Sequence, residues 1–299
     1  MTPTPLDEVE LAGRRLLLKR EDTHELGAFK WRGALPTLAE YRDSGARAVV
    51  TASTGNHGAA TAWAAARLGL EAVVYAPQTA SRAKIELIEG LGAEIRRIGA
   101  DLDEAKEEAR AYASERQLPF FEDGAERAQY EGYAVIADEI LAQAPAQPTA
   151  VVVPVGNGAL LGGIGLSLCR NAPGVERIGV AAKEAPVMVD SWDAGQPVPE
   201  DRCSTFADGL AVRVAIPLAV EVLGEVASRM LAVSERAIAR GVSTYADAGI
   251  RVEGAAAAAI AALPQLEDVG DPLVLIVTGR NIDDELFTRA RAQPDSFPD

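Results

Sequence analysis

Short apolar runs rich in β-branched residues alternate with longer amphipathic runs through almost the whole chain. The short runs predict strands over residues 15–19, 48–51, 72–75, 94–98, 150–155, 177–180, 230–233 and 273–277. The longer runs predict helices over 59–68, 84–91, 102–116, 134–143, 235–246 and 253–263. Strand and helix in repeated alternation imply an α/β fold with largely parallel sheets. The stretch Ala144-Pro-Ala-Gln-Pro-Thr149 reads as a connection inside the fold, because strand patterns resume at once. No internal repeat or low-complexity tail interrupts the pattern, and the abundance of alanine reads as a compositional bias of the genome.

Composition adds exclusions. The chain has 299 residues, 48% hydrophobic and 24% charged, enough for two domains or one large one around a well-buried core. A net charge of −15 repels phosphate backbones and anionic lipid, so neither nucleic acid nor a membrane surface is an expected partner. No apolar run reaches spanning length, and the N-terminal residues lack the basic and apolar regions of a signal peptide. Cys169 and Cys203 have neither metal nor redox spacing and are expected as small core residues in a reducing cytosol. Two histidines, His24 and His57, rule out a His-rich metal site. The expected location is cytoplasmic.

Candidate chemistry gathers at three junctions. In Ala28-Phe29-Lys30-Trp31-Arg32-Gly33-Ala34, one lysine stands among apolar and small neighbours where a helix pattern begins. In Ser53-Thr54-Gly55-Asn56-His57, a strand closes and an alanine-rich helix opens; capping would account for one of Asn56 and His57, not for the whole polar cluster. A lysine able to form an imine, with hydroxyls and backbone N–H groups at a helix start, suits a carbonyl cofactor and a carboxylate substrate. The third junction runs from Val151 through Gly156-Asn157-Gly158-Ala159-Leu160 to Gly163, a strand–loop–helix of the form G-x-G-x-x-x-G. Its glycines fit either phosphate binding or close strand–helix packing. A nicotinamide site would want this loop after the first strand and an acidic residue on a later one. Here the loop lies past the midpoint, and the strand over 177–180 runs into Ala181 and Ala182. Thr278-Gly279-Arg280-Asn281, just after the strand over 273–277, is either a plain turn or a hydroxyl set to meet a ring nitrogen.

Taken together these motifs resemble the fold-type II pyridoxal-phosphate enzymes, specifically the serine/threonine dehydratase (ammonia-lyase) and serine racemase group. The resemblance runs from Thr4-Pro5-Leu6 and Leu18-Lys19-Arg20-Glu21-Asp22 to Thr278-Gly279-Arg280-Asn281. Between them stand F-K-x-R-G-A, S-x-G-N-H, the glycine loop, Phe206-Ala207-Asp208-Gly209-Leu210-Ala211-Val212 and Glu253-Gly254-Ala255. It implies two open, twisted, mostly parallel sheet domains (tryptophan synthase β-like). Residues 1–46 and 134–299 would form the large cofactor-binding domain and 47–133 a small domain closing over the substrate, with pyridoxal 5'-phosphate between them. Lys30 would be the Schiff-base lysine, with Phe29 packed on the cofactor ring and Asn56 bonded to its hydroxyl. Gly156, Asn157, Gly158, Ala159 and Leu160 would hold the phosphate, and Thr278 would face the ring nitrogen. Ser53, Thr54, Gly55, Asn56 and His57 would cradle the substrate carboxylate. Such enzymes are commonly homodimers.

The implied activity is loss of ammonia from a β-hydroxy amino acid, L-threonine or L-serine. Trp31-Arg32-Gly33 after the lysine favours the dehydratases over the cysteine and threonine synthases, which carry aspartate and arginine there. Four places depart from the family pattern. Ala28 stands where serine is common, and Asn157 and Ala159 interrupt the glycine loop. Ala181 (or Lys183) stands where many members have a cation-binding glutamate, so no metal is expected. Glu131-Gly132-Tyr133-Ala134-Val135 replaces A-G-Q-G-T, and its G-Y pair is similar to diaminopropionate ammonia-lyase. A racemase would need a second base opposite Lys30, where Thr54 is the candidate. A non-catalytic binding protein on the same fold is the reading from another class. The chain ends soon after Thr278, so a C-terminal regulatory domain and feedback control by isoleucine are not expected.

Overall fold

The computed structural model describes residues 2–80 and 82–299. Its strands are β1 (Leu6–Leu11), β2 (Arg14–Arg20), β3 (Ala48–Ala52), β4 (Glu71–Ala76), β5 (Glu94–Arg97), β6 (Ala150–Pro154), β7 (Glu176–Ala182), β8 (Arg229–Val233) and β9 (Leu273–Val277). The α-helices are α1 (Trp31–Asp43), α2 (Asn56–Leu68), α3 (Arg82–Gly90), α4 (Leu102–Arg116), α5 (Arg127–Gln143) and α6 (Ala159–Asn171). They continue with α7 (Val187–Ala194), α8 (Pro217–Val226), α9 (Glu235–Asp247), α10 (Gly254–Ala261) and α11 (Asp284–Ala292). Contacts divide the chain into one unit of Met1–Phe29 with Tyr133–Asp299 and another of Lys30–Gly132.

In the first unit six strands run in the order β1-β2-β9-β6-β7-β8, parallel except for the β1–β2 pair. Strands β6 and β9 are buried at every position, as strands covered on both faces must be, whereas the edge strand β8 is mostly half-exposed. Helix α10 reads Gly-Ala-Ala-Ala-Ala-Ala-Ile-Ala and is buried from Gly254 to Ile260. Its small side chains form part of the main core with β6, β7 and β9, so this alanine run is a packing surface and not mere compositional bias. In the second unit β3, β4 and β5 form a parallel sheet, extended by a bridge from Val50 to Phe120.

All eight expected strands are present, with shifts of one or two residues at their ends. The antiparallel edge strand β1 was not expected, because Leu-Asp-Glu-Val-Glu-Leu carries three acids in six residues. Helices α7, α8 and α11 were likewise unforeseen. Helix α10 stops at Ala261 and gives way to a 3-10 turn over Leu263–Gln265, where Pro264 has no backbone N–H to donate to a continuing α-helix. The expected division after residue 46 is corrected: α1 belongs with the Lys30–Gly132 unit, where Trp31 packs tilted against Trp63 of α2, ring centroids 6.1 Å apart. The second boundary falls within α5. Cys169 and Cys203 are free thiols and half-buried, not core residues. Among the described residues no helix is long and apolar enough to cross a membrane.

Candidate active site

Lys30 is the residue before the first turn of α1, and its side chain keeps 16% of its surface exposed. Its Nζ donates to Asp123 Oδ2 at 2.5 Å. Asp123 belongs to the turn Glu122-Asp123-Gly124 that follows the Phe120 bridge, and it comes from the same unit as Lys30. Gln129, fully buried on α5, holds this turn at two points. Its Nε2 donates to Asp123 Oδ1 at 3.1 Å, and its Oε1 accepts from Gly124 N at 2.8 Å. Tyr130 Oη donates to Gly124 O at 2.8 Å. Burial by itself raises the Asp123 carboxyl, but the charge of Lys30 and the hydrogen bonds from Lys30 and Gln129 outweigh it. The group is held well below the usual carboxylate range and stays ionised.

His57 lies in the first turn of α2, buried, its ring 4.5 Å from that of Phe121. Burial pushes the imidazole below its ordinary range, against the pull of Asp123, so it is neutral at pH 7. Nε2 lies 3.2 Å from Phe121 O, which can only accept, so the proton is assigned to Nε2. Nδ1 is then an acceptor, 3.6 Å from Asp123 Oδ1. The His57 ring is thus turned to Phe121 and Asp123. The capping expectation for Asn56 is corrected. Gly55 is the N-cap of α2 with no side-chain cap bond, and Asn56 is the first helical residue. Ser53 Oγ instead accepts from Gly55 N at 3.2 Å, and residues 53–56 are all half-exposed.

In the other unit, the chain leaves β6 through Val155 into Gly156-Asn157-Gly158 and enters α6 at Ala159. Gly158 has φ +90°, and a methyl group on Gly156 would come within 2.3 Å of Gly209 O, so neither position admits a side chain. Asn157 Oδ1 accepts from Ala159 N at 3.1 Å, which makes this departure from the family loop a local turn bond. The first turn of the 13-residue helix α6 supplies backbone N–H groups without intrahelical partners and the positive end of the helix dipole.

Thr278 follows β9 in a stretch paired with residues 27–29: Phe29 N donates to Thr278 O at 3.1 Å, and Ala28 bridges Gly279. The Thr278 Oγ1 hydroxyl is buried without a hydrogen-bond partner among the described residues. Such an atom costs about 1–3 kcal/mol unless something pairs with it. Phe29 packs on Tyr133 of α5, centroids 5.2 Å apart, and Glu253 is buried beside Gly279. Ala181, at the place of the family's cation ligand, is buried in the core.

The Gly132-Tyr133 pair now has a packing reason. A methyl group on Gly132 would lie 2.0 Å from Arg32 O, two residues after Lys30 in the chain, and the Tyr133 ring packs against Phe29. Gly132→Ala is therefore expected to destabilise the cofactor-free protein by about 3 kcal/mol, the high end for an overpacked site. A shift of the urea midpoint worth less than about 0.5 kcal/mol would show that α1 and α5 move apart at little cost.

Sequence reasoning named Lys30 and missed its partner. Asp123 sits in an Asp-Gly dipeptide, which reads as a turn and nothing more.

The family described as "Pyridoxal-phosphate dependent enzyme" matches residues 1–279, and the chain belongs to it. Within that family it stands with the fold-type II threonine dehydratase and serine racemase group. It is 33% identical over 278 residues to the L-threonine dehydratase biosynthetic IlvA of Lactococcus lactis, covering 90% of this chain and 67% of that protein. It is 35% identical over 218 residues to the protein of the same name from Pasteurella multocida, covering 70% of this chain but 42% of the relative, so it spans less than half of that relative's length. Among solved structures, the processed form of threonine deaminase isoform 2 from Solanum lycopersicum superposes with a TM-score of 0.91 at 28% identity, over 97% of this chain and 87% of that one.

The residues present fit pyridoxal 5'-phosphate. A primary amine stands beside a fixed carboxylate, a tight glycine turn opens a long helix, and an orphaned buried hydroxyl has the chemistry to meet a ring nitrogen.

Proposed function

We propose that this chain releases ammonia from L-threonine or L-serine, leaving a 2-oxo acid. The observation that carries the reading is Lys30, set by Asp123 at the start of α1, in a chain whose relatives bear the name threonine dehydratase. Gly156 to Leu160 would hold the cofactor phosphate, Thr278 Oγ1 its ring nitrogen and Asn56 its hydroxyl, while the backbone at Ser53 to His57 would receive the substrate carboxylate. When bound, the cofactor supplies an electron sink for the pair left at Cα. Lys30 takes the Cα proton, the Cβ–O bond breaks with its electron pair going to oxygen, and a proton makes the leaving group water. The released enamine then takes up water to give the 2-oxo acid and ammonia.

The test is 2-oxo acid release by the pyridoxal-phosphate-loaded protein on L-threonine and L-serine. Turnover of either is expected; a visibly loaded protein that racemises L-serine and releases no 2-oxo acid would overturn the reading.

Thr278 offers a check that needs no turnover. Thr278→Val keeps the shape and removes the unpaired hydroxyl. The cofactor-free variant is expected to be more stable than the parent by about 1 kcal/mol. Its affinity for pyridoxal 5'-phosphate is expected to fall about tenfold, the worth of one hydrogen bond at the upper end. A less stable cofactor-free variant with unchanged affinity would mean that the hydroxyl serves the protein and not the cofactor.

A further inference from the structure

Acceptors gather beside Lys30: the two oxygens of Asp123, with Oδ2 on the lysine Nζ, and His57 Nδ1 at 3.6 Å from Oδ1. Neighbouring donors are engaged within the protein. Gln129 Nε2 donates to Asp123 Oδ1, Gly124 N to Gln129 Oε1, and Tyr130 Oη to Gly124 O. His57 turns Nε2 to Phe121 O and is neutral, so it brings no positive charge. Lys106 and Arg110 of α4 both pair with Glu122, the residue before Asp123. Asp123 keeps 25% of its side-chain surface exposed, so its charge is felt by a molecule held at Lys30.

The balance of charge changes when Lys30 works. By the function proposed above, on which this inference rests, Lys30 takes the Cα proton as a neutral amine. It still donates to Asp123, but it no longer balances the carboxylate's charge. With the base about 3 Å from Cα, a carboxylate on Cβ stands no farther than about 9 Å from Asp123 Oδ2. Two like charges at that range cost about twentyfold in affinity at an effective dielectric constant of about 20, and more in closer poses. A hydroxyl, a methyl group or an amide on Cβ escapes this cost. The net charge of −15 on the whole chain acts in the same direction at longer range.

We propose that Asp123 is a specificity-determining residue: its carboxylate makes the enzyme reject amino acids with an anionic group on Cβ, such as L-threo-3-hydroxyaspartate, and accept those with uncharged substituents there. Asp123 acts in this by its charge and takes no part in the proton transfer.

The experiment pairs substrates that differ in charge and hardly in size. L-threo-3-hydroxyasparagine and L-threo-3-hydroxyaspartate are compared by kcat/KM for 2-oxo acid release from the loaded protein. The amide is expected to be used better by about twentyfold or more. In Asp123→Asn, which keeps the shape of the side chain and removes its charge, that preference is expected to shrink about twentyfold. Binding gives a readout independent of turnover. L-Asparagine and L-aspartate carry no leaving group, and titration of the visible band is expected to show the wild type favouring the amide and Asp123→Asn losing the preference. This titration decides where neither hydroxy acid turns over. If Asp123→Asn does not hold the cofactor, the wild type decides alone: acid and amide used or bound equally, with L-serine turned over, overturns the inference and leaves the proposed function standing. A preference unchanged in Asp123→Asn overturns it equally. No 2-oxo acid from L-threonine or L-serine would sink the proposed function itself, while the asparagine and aspartate titrations still read the charge of Asp123.

Discussion

Lys30→Ala is expected to abolish the visible absorption of the loaded protein and to cut 2-oxo acid release by about 10⁴-fold or more, the upper range for a lost proton-transferring group. The physical reason is local. Lys30 is the amine set against Asp123 by a 2.5 Å contact, and it emerges at the start of α1. Asp123 remains in place when Lys30 is gone, still tied by Gln129, and a buried carboxylate without its cation invites a replacement. Added ethylamine is therefore expected to restore part of the activity to Lys30→Ala, and less of it to the double variant Lys30→Ala/Asp123→Asn. The comparison is made under conditions where circular dichroism shows both variants folded. A Lys30→Ala protein that keeps its colour and its turnover would end the assignment of Lys30.

The strands were legible in the sequence because both sheets are mainly parallel and their strands read as apolar runs, β6 and β9 most clearly. Strand β1 was not, since an antiparallel edge needs burial on one side at most and shows little apolar signal. At the site, Lys30, the polar loop and the glycine turn were visible as local strings. The partner of Lys30 was not visible. Asp123 reaches Lys30 from 93 residues away, and no local pattern marks a carboxylate as the partner of one particular amine. His57 shows the converse. Its residue type and place were legible, but the direction of its ring was set by Phe121 and Asp123, which only the folded chain brings to it. The boundary between units misled for a similar reason. The helix pattern of α1 says nothing about which sheet it belongs with, and the Trp31–Trp63 contact decides that.

Leu18-Lys19-Arg20-Glu21-Asp22, one of the motifs that carry the family resemblance, is expected to matter through stability. Lys19 is completely buried, and its three ammonium donors meet three acceptors: Thr4 O at 2.8 Å, Glu139 Oε2 at 2.6 Å and Gln143 Oε1 at 2.9 Å. Thr4 Oγ1 donates to buried Glu21 at 2.6 Å, and Arg20 grips Asp22 through two parallel bonds of 2.8 Å. Strand β2, the residues before β1 and helix α5 are thus tied by charges that are costly to bury and more costly to leave unpaired. Lys19→Met is expected to destabilise the protein by about 3–5 kcal/mol, because Glu139 stays behind without its cation. That is a large share of the roughly 5–15 kcal/mol that holds a folded domain. Adding Glu139→Leu removes the stranded charge, so the double variant is expected to recover most of the loss, measured by urea unfolding of the cofactor-free protein. The fraction of Lys19→Met that stays folded is expected to bind pyridoxal 5'-phosphate with the parent's visible band, which a residue acting on the cofactor would not allow. A loss below about 1 kcal/mol, or a double variant no better than the single one, would show that Thr4 and Gln143, rather than the ion pair, hold this corner together.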